Sequence, residues 1–199
     1  MSTSDQQLIP NSFVFPEFWS YPPYFTLQPI PESQEKQKEL WRGLILSYCR
    51  HYRIFQINVD DAAAQQTLPF ANPAIKRTLF LSEISQCHLN RDAKLVFLED
   101  LAAHSRGQWL DGKTRSNFLV LWKTLNEWAD SLYTWAVANG LKDSVVTVDE
   151  VQRGEAVVGT ELEGMPRVVL EKALKVLETQ GKAKLFSGST PDEEGVKFF

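Results

Sequence analysis

Three features predict a mainly helical α+β fold in two similar halves. A proline- and aromatic-rich stretch opens the chain, two amphipathic helical patterns each run up to a glycine, and a hairpin pattern follows each glycine. The 199 residues are 43% hydrophobic and 12% aromatic, too apolar for a disordered chain and enough for one large core or two small ones. Lysine and arginine number 21 against 25 acidic residues, a net charge of −4 that disfavours nucleic acid as a partner.

The opening stretch from Phe13 to Pro31 reads FVFPEFWSYPPYFTLQPIP. Its prolines at 16, 22, 23, 29 and 31 forbid a continuous helix and bias their predecessors to extended geometry, so an extended segment is expected over 1–32. Phe13, Phe15, Phe18, Trp19, Tyr21, Tyr24 and Phe25 need a surface to cover them. From Ser33 a helical period takes over, with Trp41, Leu44, Ile45, Tyr48 and Cys49 on one face. Ile54 to Val59 alternates as a half-buried strand, and 72–81 reads as a second, weaker helix. A third helix spans 90–106 and ends at Gly107, placed as its left-handed cap. Trp109-Leu110 and Phe118–Trp122 then flank the turn Asp111-Gly112-Lys113 as a hairpin.

The order begins again at Trp128, Leu132, Trp135 and Ala136, a helix ending near Gly140, followed by the β-branched run 144–148. Thr147 and Glu150 have capping-box spacing, and Pro166 opens a long helix whose stripe is Val169, Leu170, Ala173, Leu174, Val176 and Leu177, stopped by Gly181. Strands at 184–186 and 196–199 close the chain around a polar loop from Ser187 to Gly195. Each half is helix, strand, helix, helix, hairpin, which is the winged-helix plan. The expected domains are a docking segment at 1–32, a first winged helix at 33–122 and a second at 123–199.

No constellation for catalysis stands out. His51, His88 and His104 lack ligand spacing to one another and to Cys49 and Cys87, so neither a metal nor a cofactor is expected. Cys49 lies on an apolar stripe, where a small buried hydrophobe is the simpler reading than a nucleophile. The Met1-Ser-Thr-Ser-Asp start lacks a secretory signal, and no run is long enough for a membrane span. A cytoplasmic protein with reduced thiols and only indirect membrane contact is expected. Many winged helices bind DNA through the third helix. Here Arg91, Lys94 and Arg106 stand against Asp92, Glu99 and Asp100, so a nucleic-acid or transcription-associated role is the second choice.

Tyr21-Pro-Pro-Tyr-Phe-Thr-Leu-Gln-Pro29, the Trp-containing helix after it, Trp109-Leu-Asp111, Phe118–Trp122, Glu127-Trp128 and Gly195-Val-Lys-Phe-Phe199 together carry a resemblance. The chain resembles the small-subunit family of the endosomal sorting complex required for transport II (ESCRT-II), which sorts cargo into multivesicular bodies. The resemblance implies a non-enzymatic subunit of two winged helices. Its N-terminal motif, mapped here onto Pro22, Pro23, Tyr24 and Phe25, would dock on the larger subunits, vacuolar protein sorting-associated proteins 22 and 36. The second winged helix would recruit an ESCRT-III subunit, charged multivesicular body protein 6 (vacuolar protein sorting-associated protein 20), at the endosomal membrane. The residues themselves agree with docking, since prolines preset the backbone and Tyr24 and Phe25 carry large apolar area. The competing reading is a tail folded back on its own domain; preorganisation and the excess of aromatics favour docking over it. A WW-domain ligand is disfavoured because Phe25 takes the place of the required tyrosine.

Overall fold

The computed structural model describes residues 13–60, 69–79, 83–187 and 194–199. By internal contacts the chain divides into two compact units, Met1–Val120 and Leu121–Phe199.

Unit one is organised around helix α1 (Pro31–Tyr52), whose first-turn proline loses no bond the helix needs. Gln37, Trp41, Leu44, Ile45, Tyr48 and Cys49 form its buried stripe. Arg53 ends it in the left-handed conformation, φ 54°, and Ile54 N–H closes back on the Cys49 carbonyl at 2.8 Å. Strand β1 (Gln56–Asn58) follows. Helix α2 (Arg91–Ala103) starts at Asn90, whose side chain accepts from the Ala93 amide at 2.8 Å. Strands β4 (Gly107–Trp109) and β5 (Asn117–Val120) then form the expected hairpin. Between them Asp111 accepts the amides of Ser116 and Asn117 at 2.9 Å each. β1 adds to the other side of β5, pairing Gln56 with Leu119 and Asn58 with Asn117, in a three-stranded sheet of order β1-β5-β4. Trp41, Phe97, Leu98, Leu101, Phe118 and Val120 are the fully enclosed centre of this unit.

Two expectations are corrected here. The helix expected at 72–81 is instead strand β2 (Ala71–Leu79), paired antiparallel with β3 (Glu83–His88). Pro73 explains the choice, because it disfavours helical geometry at Asn72 and has no N–H to give. The register shift between Asn72 and Lys76 falls at this proline, where a strand tolerates it. Gly107 is likewise not the cap of α2. Ser105 takes the left-handed turn at φ 56°, with Arg106 N–H on the Leu101 carbonyl at 2.8 Å. Gly107 serves close approach: a Cβ there would lie 2.3 Å from the Phe118 ring and 2.5 Å from the Leu119 carbonyl.

Unit two follows the expected order throughout. Helix α3 (Leu125–Ala138) opens on a Thr124/Glu127 capping box, and α4 (Val148–Arg153) on the Thr147/Glu150 box, with Glu150 N–H on Thr147 Oγ1 at 3.1 Å. Between them lies β6 (Val145–Thr147). Helix α5 (Arg167–Thr179) has Pro166 at its N-cap and buries Val169, Leu170, Ala173, Leu174 and Leu177 against α3. Gly181, φ 71°, is its left-handed cap, with Lys182 N–H on the Leu177 carbonyl at 2.9 Å. Strands β7 (Ala183–Phe186) and β8 (Gly195–Phe198) complete a sheet of order β6-β8-β7. Of the polar loop read between them, residues 188–193 lie outside the described residues. Both units are winged helices, and in unit one the β2–β3 pair stands where the second helix is expected.

Candidate docking site

The prolines shape the N-terminal segment by removing donors. Pro16, Tyr21, Thr26 and Ile30 are extended, and between them the chain makes two single 3-10 turns, Glu17–Ser20 and Pro22–Phe25. Pro22 and Pro23 open the second turn, where missing amides cost nothing, and Tyr24 N–H and Thr26 N–H close it on the carbonyls of Tyr21 and Pro23 at 3.1 and 3.2 Å.

Within unit one the segment is packed on α1. Phe18 and Phe25 are 8% and 5% exposed, and both meet Trp41 in T-shaped contacts, with centroids 5.6 and 5.4 Å away. Trp41 is itself fully buried and stacks on Phe97 at 5.4 Å. Upstream, Phe15 stacks on Trp19 at 3.8 Å, and Phe13 meets Tyr48 edge-on at 5.2 Å. The aromatics that needed cover thus find much of it on α1. The fold-back reading, ranked second from the sequence, describes Phe18 and Phe25: an exposed run of rings beside an apolar stripe collapses onto the nearest apolar surface.

Polar groups fix how the segment lies. Trp41 Nε1 donates to the Tyr24 carbonyl at 3.0 Å. Gln37 Nε2 donates to Tyr24 O at 2.8 Å and to Thr26 O at 2.9 Å, while Gln37 Oε1 accepts from the Gln28 amide at 3.1 Å. Farther up, Trp19 Nε1 donates to Pro69 O and the Asn72 side chain to Trp19 O, both at 2.9 Å.

Of the four residues singled out by sequence, all lie on this one turn, with different exposures. Pro23 is exposed, Pro22 and Tyr24 are half-buried, Phe25 is enclosed, and neighbouring Tyr21 is 57% exposed. Pro23 and Tyr24 line a surface cleft of ≈ 310 Å³ with Gln28, Ser33, Lys36 and Gln37. Sequence reading missed Gln37. Its signal was its place one turn before Trp41 on the buried stripe, where a polar side chain calls for partners.

Among the described residues, other chemistry finds no comparable setting. Cys49 is 1% exposed, and burial pushes its thiol up to about 12, far from the thiolate a nucleophile needs. Among the described residues no group of three His, Cys, Asp or Glu could hold a metal ion, and no helix is long and apolar enough to cross a membrane. On α2, Arg91 is held by Asp60 at 2.6 Å and by the Thr114 carbonyl at 3.0 Å. Lys94 is buried beside the Phe70 ring, and that burial holds its ammonium below the ordinary lysine range.

Comparison with known proteins agrees in sequence and in fold. The family model described as ESCRT-II complex subunit matches residues 18–166. Vacuolar protein sorting-associated protein 25 of Arabidopsis thaliana is 42% identical over 186 residues, covering 94% of this chain and 96% of that protein. Its Homo sapiens counterpart is 34% identical over 188 residues, covering 94% and 98%. A solved structure described as subunit VPS25 of the endosomal trafficking complex ESCRT-II superposes with a TM-score of 0.73, covering 93% of this chain and 98% of that one; at 22% identity it speaks for the fold. A second, of the endosomal complex ESCRT-II (VPS22/VPS25/VPS36), superposes at 0.72, with 93% and 98% covered. With a family match over most of its length, and relatives above 30% identity along nearly all of it, this chain belongs to the ESCRT-II complex subunit family.

Proposed function

We propose that this chain is the VPS25-type, non-catalytic subunit of an ESCRT-II complex and attaches to the larger VPS22- and VPS36-type subunits through Pro22, Pro23, Tyr24 and Phe25. The observation that carries the reading is the shape of that turn. Pro23 and Tyr24 project from a backbone already tied to α1, with Phe25 as the anchor beneath them. A motif held in one conformation loses little entropy on docking, and an aromatic ring flanked by prolines suits a partner's apolar pocket. The segment 1–32 is then the assembly end, the winged helix at 33–122 its support, and the winged helix at 123–199 the end that recruits an ESCRT-III subunit of the charged multivesicular body protein 6 type. The protein works from the cytoplasm, and reaches the endosomal membrane through these partners. The nucleic-acid reading is disfavoured by α2, where Arg91 is paired and Lys94 buried.

Co-purification tests the assignment. The full chain, co-expressed with both larger subunits, should elute with them as one complex, and a Pro22→Ala, Pro23→Ala, Tyr24→Ala triple variant should elute apart while staying folded, with a cooperative melt lowered by only a few degrees. A triple variant that still co-elutes would overturn the docking assignment. Salt-sensitive retention on DNA without any protein complex would favour the second reading.

A further inference from the structure

Three polar or charged side chains are buried among the described residues, Gln37, Asn72 and Lys94, and two of them hold the backbone of the N-terminal segment. Gln37 is the one bonded to the proline turn itself, at Tyr24 O and just beyond it at Thr26 O. Both of its amide hydrogens and its carbonyl are engaged, spanning Tyr24 to Gln28. Gln28 extends the grip, its side chain donating to Pro23 O at 2.9 Å and its carbonyl accepting from the Gln34 side chain at 3.1 Å.

Apolar contact alone would not need this. Phe18 and Phe25 against Trp41 already drive the segment onto α1, but apolar contact is non-directional and tolerates sliding. A buried glutamine costs desolvation that a leucine or methionine at the same place would avoid, so its gain lies in selecting one arrangement. The arrangement selected sets which side of the turn faces out. With the carbonyls of Tyr24 and Thr26 turned inward to Gln37, Pro23 and the Tyr24 ring are left on the rim of the cleft.

We infer that Gln37 is a positioning residue for docking: it touches no partner, and it holds the Pro-Pro-Tyr turn in the register that the larger subunits bind. The inference rests on the docking function proposed above and deepens it. If only the held register is competent, losing the latch lowers the competent fraction. The apparent affinity falls by that fraction, through slower association rather than faster release.

The test compares association and dissociation rates of the full-length chain with the complex of the two larger subunits. Gln37→Met keeps the volume and removes the bonds. Expected are an association rate lower by about tenfold, a dissociation rate within about twofold of the parent, and faster hydrogen exchange at the Gln28 amide. Gln37→Glu supplies a second reading. Its carboxylate still accepts from Gln28 N–H but has no hydrogen for Tyr24 O or Thr26 O, and protonation returns one donor. Its association rate should therefore rise as pH falls through the carboxyl range, relative to the parent chain. Parent-like association by Gln37→Met, or a loss carried wholly by faster dissociation, overturns the inference while leaving docking intact. Failure of the docking function itself shows elsewhere: Tyr24→Ala would then bind at parental rates.

Discussion

Phe25 meets Trp41 edge-on, ring centroids 5.4 Å apart at 85°, while the carbonyl just before Phe25 accepts the Trp41 indole N–H at 3.0 Å. One residue of the motif is therefore core, while its neighbour Tyr24 is half-buried, its ring 5.3 Å from that of Phe18 and the residue lining the surface cleft. Phe25→Ala should cost unit one about 3–5 kcal/mol, the usual range for an enclosed phenylalanine. Tyr24→Ala should cost under about 1 kcal/mol of stability yet weaken assembly with the larger subunits. Thermal melts read the first quantity and pull-downs the second. Equal melting losses for both variants would dissolve the distinction.

Gly107 and Gly181 look alike in the sequence and differ in the structure. A methyl on Gly107 would press on the Phe118 ring and the Leu119 carbonyl at 2.3–2.5 Å, so Gly107→Ala should cost about 3 kcal/mol or more by overpacking. Gly181 has open space around it but φ 71°, so Gly181→Ala should cost only about 1–2 kcal/mol, the left-handed penalty, and Gly181→Asn less. Chemical denaturation of the three variants measures both. A milder effect at Gly107 than at Gly181 would contradict the close-approach role.

What the residues disclosed follows from how local each cause is. The capping box at Thr147 and Glu150, the stripe of α5 and the stop at Gly181 depend on neighbours within a turn or two, and each stands where the pattern put it. Strand β2 does not. Its helical reading at 72–81 rested on a short window, whereas its pairing with 83–88 is a contact the window cannot contain. Gly107 was misassigned for the same reason, since what excludes a side chain there is Phe118 on another strand. At the proposed docking turn, Pro22, Pro23, Tyr24 and Phe25 were singled out through the resemblance to a family motif, and the prolines alone announced only a break in helix. The division of Phe25 from Tyr24, and the part played by Gln37, depend on a helix that follows later in the chain.

Cys49 carries a pH signature. Burial raises its thiol from 9.0 to about 12, so between those values the folded chain holds a proton that the unfolded chain has lost. Its contribution to stability is complete below about pH 9 and declines as pH climbs toward 12. In a Cys87→Ser background, labelling of Cys49 by a thiol reagent at pH 8 should be slow and should track unfolding when denaturant is added. Rapid labelling of the folded protein would show that the thiol is not enclosed.

The C-terminal strand tests the division of labour between the two ends. β8 is the central strand of its sheet, paired with β6 on one side and β7 on the other. Val196 and Phe198 point into the core and are fully buried, whereas Phe199, on the opposite face, is 39% exposed. That alternation is what a strand with one face on the core and the other toward solvent requires. The end is also tied by its backbone: Asp143 N–H donates to Phe198 O at 2.8 Å, Phe199 N–H to Lys182 O at 2.9 Å, and Tyr133 Oη to Phe199 O at 2.5 Å. Deleting 196–199 removes two enclosed side chains and the partner of both outer strands, at about 3–5 kcal/mol for the phenylalanine alone, more than a small domain can absorb. Unit two should lose its cooperative melt, and capture of the ESCRT-III subunit should fail with it. Phe199→Ala spares the buried face and every one of those backbone bonds, so it should stay folded and still capture that subunit. The Pro22, Pro23 and Tyr24 triple variant should capture it as well, while failing to join the larger subunits. If the deletion stays folded and still captures the subunit, both the placement of β8 at the centre of the core and the assignment of recruitment to unit two are wrong.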